Sequence, residues 1–233
     1  MTNKLFVIPG HGAGDSGAVG NGYKEAERVR ALATKVKEYG GDNVILSDFN
    51  LNSYRSNIIG KCQVPNDCLI LELHIDSSKN TKARGGHVII NANFKADEYD
   101  DALAKMISTI FPGRAKTIVG RTDLANVRRA AEKGYNYRLL ECCFISNIED
   151  INKFNAEMDK LAKEILGCFK ISVTESAKSA TTTKKSNEEI AREVIKGLWG
   201  NGITRKLKLA KAGYNYAEIQ KRVNELLKRG EIV

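Results

Sequence analysis

The sequence predicts an α/β fold, in which helices flank a mostly parallel sheet, followed by a small C-terminal three-helix bundle. Three observations carry this reading. Short apolar runs ("LFVI", "NVILSD", "CLILELHI", "GGHVIIN", "YRLLECCF") alternate with helical patterns near residues 22–39, 53–62, 95–110 and 148–169. That alternation builds a parallel sheet covered by helices. After "CFKIS" the chain turns polar and rich in Thr, Ser and Lys ("VTESAKSATTTKKS"), the composition of a flexible linker. Beyond the linker, three short amphipathic segments follow.

The first strand leads into "GAGDSG", which has the G-x-G-x-x-G spacing of a dinucleotide loop. Its context fails. Helical periodicity begins only near Gly22, and Asp48, the acid ending the next apolar run, lies about thirty residues past Gly17, beyond the expected offset. The loop therefore needs another explanation. His11 stands at the strand's end, and Glu25 or Glu27 at the start of the helix. At about 100° per residue, Glu25 shares its face with Val29, Leu32 and Val36, whereas Glu27 points to water. His74 ends its apolar run with Glu72 on the same face, and Glu141 lies inside another run, where a carboxylate needs a partner or a task. His11, Glu25 and His74 make up the two-imidazole, one-carboxylate ligand set of a catalytic zinc with an open position for water. His87 is read as a satisfied core or loop residue. The segment "RTDLANVRRAAEKG" fits helix or loop equally well.

In the tail, Ser186 and Glu189 have capping-box spacing ahead of Ile190, Val194 and Leu198. A second helix follows "WGNG" up to Gly213, Asn215 with Glu218 caps a third carrying Ile219, Val223 and Leu226, and Gly230 is placed to stop it. The tetrapeptide "GYNY" occurs twice, once before a strand and once before a helix, and is read as coincidence.

Composition narrows the function. No run approaches the length of a membrane span, and the start lacks the apolar stretch of a secretory signal, so synthesis in the cytoplasm without a signal peptide is expected. Five cysteines without a CxxC pair argue against a disulfide framework or a thiolate zinc finger. The net charge of +9 is concentrated in residues 173–233, with 13 basic and 7 acidic side chains, which implies an anionic partner such as nucleic acid, a membrane surface or a bacterial wall polymer.

The segments "PGHGAGDSGAVGNGYKEAE", "LELHIDSS" and "LLECCFISNIED", in this order and spacing, resemble the zinc-dependent N-acetylmuramoyl-L-alanine amidases of the type 3 family over roughly residues 3–168. The resemblance implies metal ligands at His11, Glu25 and His74 and a catalytic glutamate at Glu141. The chain departs from many relatives at Asp76, where they carry asparagine, and at Cys142–Cys143, where glycine often follows the glutamate. Residues 187–228 resemble one CW-seven cell-wall-binding repeat, through "GLWGNG", "AGYNY" and "IQKRVN". The implied organisation is a zinc amidase domain over 1–171, a linker over 172–186 and a wall-binding module over 187–233, with Trp199, Tyr214 and Tyr216 as candidate sugar-stacking residues. Together these imply a phage endolysin-like hydrolase using Zn2+ on bacterial peptidoglycan, acting on the wall after release, with neither nucleic acid nor membrane as partner. Self-association would supply the avidity that a single repeat lacks. A zinc peptidase cutting within the stem peptide would use the same ligands, and the basic tail alone would suit a nucleic-acid-binding protein, which leaves the site residues unexplained.

Overall fold

The computed structural model describes residues 3–65, 67–174, 185–195, 197–200 and 202–229. The chain divides between residues 176 and 177 into two compact units. Most of the linker expected at 172–186 lies outside the described residues, as does Gly230, the expected stop of the last helix.

In the first unit, β1 (Lys4–Pro9), β4 (Val44–Leu46), β5 (Cys68–Asp76), β6 (His87–Asn91), β7 (Ile118–Arg121) and β8 (Tyr137–Phe144) form one six-stranded sheet in the order β4-β1-β5-β8-β6-β7. All neighbouring pairs are parallel except β6 against β8. The α/β class and the mostly parallel sheet are therefore as expected. One strand, β7, goes beyond the five apolar runs. It is four residues long and is interrupted by Gly120, so it carries too little apolar pattern to announce itself.

The sheet is covered on both faces, which is why its central strands read as continuous apolar runs. On one face Leu5, Val7, Leu71, Leu73 and Leu140 pack beneath α1 (Glu25–Gly40), α3 (Glu98–Ile110) and α6 (Met158–Cys168). On the other, Phe6, Ile8, Ile70, Ile89 and Leu139 pack with Val127 and Ala130 of α4 (Ala125–Glu132). The segment with two readings is thus a helix, its burial confined to Asn126, Val127 and Ala130. A two-residue hairpin, β2 (Val19–Gly20) with β3 (Tyr23–Lys24), precedes α1, so that helix starts three residues later than the periodicity near Gly22 suggests. The helix expected over 53–62 shrinks to α2 (Ser53–Ser56), because Asn57 adopts a left-handed conformation and ends it. The pattern at 148–169 splits into α5 (Ile148–Ala156) and α6.

The second unit contains α7 (Asn187–Ile195), α8 (Gly202–Lys211) and α9 (Tyr216–Lys228) among its described residues. Ser186 and Glu189 form a reciprocal cap, with Glu189 N donating to Ser186 Oγ and Ser186 N to Glu189 Oε2 at 3.2 and 2.7 Å. Asn215 Oδ1 accepts from the amides of Ala217 and Glu218. Ile190, Val194, Leu209, Ile219, Val223 and Leu226 form its core. Leu198 does not extend the α7 stripe: it lies past the end of that helix and is 67% exposed.

Candidate metal centre and cleft

The site lies beyond the carboxyl ends of β1 and β5, where open α/β sheets gather their functional groups. Gly10 N donates to Leu73 O at 2.9 Å, continuing the β1–β5 ladder. A Cβ on Gly10 would lie 2.3 Å from His74 Cε1, so only glycine leaves room for that imidazole. His11 then takes φ 60°, a left-handed conformation that costs a non-glycine residue about 1–2 kcal/mol. Two contacts hold it there. Arg30 donates through Nη1 to Gly10 O and through Nη2 to His11 O at 2.9 and 2.8 Å, and Gly12 closes a tight turn on Asp15.

Three side chains converge from this loop, from α1 and from β5. Glu25, the first residue of α1, is buried between the two imidazoles, its Oε2 3.2 Å from His11 Nε2 and its Oε1 2.9 Å from His74 Nδ1. A register shift in β5 between His74 and Asp76 accompanies a hydrogen bond from Ile75 N to Glu25 Oε1 (3.0 Å), and Ala18 N donates to Oε2 (2.9 Å). Burial alone would raise the Glu25 carboxyl, but both histidines hold it well below the usual carboxylate range.

Each histidine is oriented from behind. Asp15 Oδ2 lies 3.1 Å from His11 Nδ1 and is itself held by Asn52 Nδ2 (3.1 Å), leaving His11 Nε2 towards the centre. Glu72 Oε1 lies 3.1 Å from His74 Nε2, leaving Nδ1 towards the centre. Glu72 is buried and accepts from Asn126 Nδ2 and from Tyr137 Oη at 2.9 and 2.7 Å. Burial would lower the pKa of His74, but its bonds to Glu25 and Glu72 raise it well above the usual histidine value.

One donor atom each from His11, Glu25 and His74 lies within 4.8 Å of the others, a grouping that fits a divalent cation. Two imidazole nitrogens and one carboxylate oxygen are the donor types that suit zinc and leave a coordination position open. Glu141 stands directly across from His74 on β8, its Oε2 buried without a hydrogen-bond partner. Burial pushes its carboxyl up to about 8, the charge of His74 opposes that rise, and Asp76 and Glu25 add to it. Glu27 is exposed and paired with Lys24 at 3.5 Å, outside the centre. His87 pairs in register with Glu141 on its other side but turns its Nε2 to Arg114, 3.1 Å away.

A cavity of about 360 Å3 opens on His11, Glu72 and His74. Its walls are Asn52, Ser53 and Tyr54 on one side and residues 123–127 on the other. Sequence reasoning missed Arg30, Asp15, Asn52, Asn126 and Tyr137. Asp15 alone carried a local signal, four residues from His11 in a glycine-rich loop. In the second unit Trp199, Tyr214 and Tyr216 pack half-buried against the core, with Trp199 Nε1 donating to Glu193 Oε2 at 2.9 Å.

A family model described as N-acetylmuramoyl-L-alanine amidase matches residues 5–169, and the CW_7 repeat matches residues 188–227. The chain is similar to the probable autolysin PH of Staphylococcus aureus, 32% identical over 185 residues, which are 71% of this chain and 38% of the relative. It is similar to the lysozyme of Streptococcus phage Cp-7 over 44 residues at 52% identity, 19% of this chain and 13% of that one. The chain thus spans well under half the length of either curated relative. Among solved structures, the catalytic domain of the CD27L endolysin targeting Clostridia difficile matches with a TM-score of 0.60 at 20% identity, covering 74% of this chain and 99% of that one. At that identity the likeness is one of fold.

Proposed function

From a chain that belongs to the N-acetylmuramoyl-L-alanine amidase family, we propose a peptidoglycan hydrolase that cuts the amide between N-acetylmuramic acid and the L-alanine of the stem peptide. The observation that carries this reading is the convergence of His11, Glu25 and His74 within 4.8 Å, with Glu141 beside them. In it, His11, Glu25 and His74 would hold zinc, through the donor atoms that face one another. Zinc bound there supplies Lewis acidity towards the scissile carbonyl and the attacking water. Asp15 and Glu72 keep the two imidazoles in the tautomers that direct those nitrogens inward.

Glu141 takes a proton from the attacking water and delivers it to the departing amine of L-alanine. Without a cation its carboxyl, at about 8, is protonated at neutral pH, and a neighbouring dication favours the carboxylate that a base requires. The half-buried aromatics Trp199, Tyr214 and Tyr216 suit the second unit to wall binding by ring stacking, and its basic side chains add attraction to anionic wall polymers. The likeness of this repeat to a phage lysozyme supports an endolysin-like role.

The test is digestion of purified wall with and without chelator, followed by zinc restoration and fragment mass analysis. Release of intact peptides beginning with L-alanine, abolished by chelator and restored by zinc, is expected. Cuts within the stem would identify a peptidase instead, and digestion indifferent to chelator would overturn the metal assignment.

A further inference from the structure

Tyr54 stands at the edge of the cavity that holds the metal-centre residues, and is 58% exposed. A single exposed aromatic is ordinary on a protein surface. This one is held in place. Arg129, reaching from α4, donates through Nη1 to Tyr54 O at 2.9 Å and to Asn126 Oδ1 at 3.0 Å, and its guanidinium carbon lies 5.3 Å from the centre of the Tyr54 ring. Asn126 in turn is bonded to Glu72 behind His74. The Tyr54 backbone is therefore tied to the same scaffold as the candidate metal ligands, and the Arg129 guanidinium also meets its ring.

The polar groups of the cavity suit one part of the substrate. Asp15 and Asp123 line it with partly exposed carboxylates, paired with His11 and Arg121, whereas Glu72 is buried behind His74. The hydroxyls of a sugar can donate to the carboxylates of Asp15 and Asp123, and its C–H face suits the face of a phenol. Beyond Glu141 stands a part-exposed guanidinium. Arg114 lies over the Phe144 ring, 5.4 Å from its centre, and 3.7 Å from Asp76, with about a third of its side chain exposed.

Resting on the amidase reading, we propose that Tyr54 is the platform of a sugar subsite: the muramoyl ring, on the acyl side of the scissile amide, packs its C–H face on the Tyr54 ring, and the peptide runs the other way, past Glu141 towards Arg114.

The test measures dissociation constants of N-acetylmuramic acid capped as its lactyl N-methylamide and of an L-alanyl stem peptide by NMR titration of the zinc-loaded full chain, in wild type, Tyr54→Phe and Tyr54→Ala. Loss of one aromatic contact is expected to weaken the sugar about tenfold in Tyr54→Ala. Tyr54→Phe retains sugar binding and both variants bind the peptide as wild type does. Equal weakening of both ligands, weakening of the peptide alone, or a sugar that binds all three proteins alike or not at all overturns the subsite. Because binding is read without turnover, failure of the amidase reading is seen separately, as intact muramoyl peptide after incubation with wild type.

Discussion

Arg30 holds His11 by its backbone: the guanidinium donates to the carbonyl oxygens of Gly10 and His11 at 2.9 and 2.8 Å, bracing a histidine that stands at φ 60°. Gly12 admits the guanidinium, since a Cβ there would lie 1.8 Å from Arg30 Nη2. A planar fork that bonds two successive carbonyls cannot be replaced by a lysine's single ammonium.

Arg30→Lys is therefore expected to weaken zinc binding about 10- to 100-fold, the range found for groups that orient metal ligands, while far-UV circular dichroism stays native. Competition with a chromophoric chelator measures it. Unchanged affinity would mean that the β1–β5 ladder and the Gly12–Asp15 turn suffice to place His11.

Glu141→Gln preserves shape and should keep zinc bound, yet lower hydrolysis by about 10² to 10⁴-fold, the usual contribution of a general acid–base group. The acid side of the wild-type kcat/KM profile should reflect Glu141, which must lose its proton to act, with a pKa that bound cation moves below the metal-free value of about 8. A zinc-loaded Gln variant with near-normal turnover would reduce Glu141 to a strand residue.

These two groups differ in how far the sequence alone reveals them. Glu141 announces itself because a carboxylate within "YRLLECCF" breaks an apolar strand. Glu25 is separable from Glu27 by helical geometry, and it is indeed the buried one. Arg30 cannot be found that way. Its role depends on a bond across a fold to a loop nineteen residues earlier, and an arginine in a helix otherwise reads as solvated surface. The same holds for the Glu72–Asn126–Tyr137 cluster, which unites β5, α4 and β8 and has no sequence spacing to betray it. The fold was more legible, because burial on both faces leaves continuous apolar runs. That pattern missed a strand that was too short, β7, and left undecided a helix too thinly buried, α4.

His87 yields a prediction about pH. It is 3% exposed, and because a guanidinium only donates, its Nε2 must accept from Arg114, leaving a protonated Nδ1 buried without a partner. Burial and the Arg114 charge push its pKa down to about 4. The folded pKa lies below the unfolded one, so the unfolded chain takes up the proton first as pH falls. Stability is full above about 6.5 and is lost between there and about 4. At pH 5 this one group should cost about 2 kcal/mol. In metal-free protein, denaturant titrations of wild type and His87→Gln should converge in stability between pH 7 and pH 5. Parallel pH curves would show that His87 does not titrate as described.

The last prediction concerns the second unit. Trp199 is half-buried, meets Tyr214 edge-on with ring centres 6.2 Å apart and donates to Glu193, so it contributes both to the core and to the surface. A bundle this small has little core to spare. Trp199→Ala should therefore lower the melting temperature of the unit, which makes it a poor probe of binding by itself. Removal of everything after Ser186 is the cleaner experiment, since the sheet and the candidate metal ligands lie wholly in the first unit. The truncated chain should cleave soluble muramoyl peptide at the wild-type rate, yet clear insoluble wall roughly tenfold more slowly at low enzyme concentration, because it lacks the tether that keeps enzyme at its substrate. The advantage of the full chain should shrink as salt rises, given 13 basic against 7 acidic residues from position 173 onward. Equal wall clearing by both chains at low salt would rule out wall binding as the work of this unit.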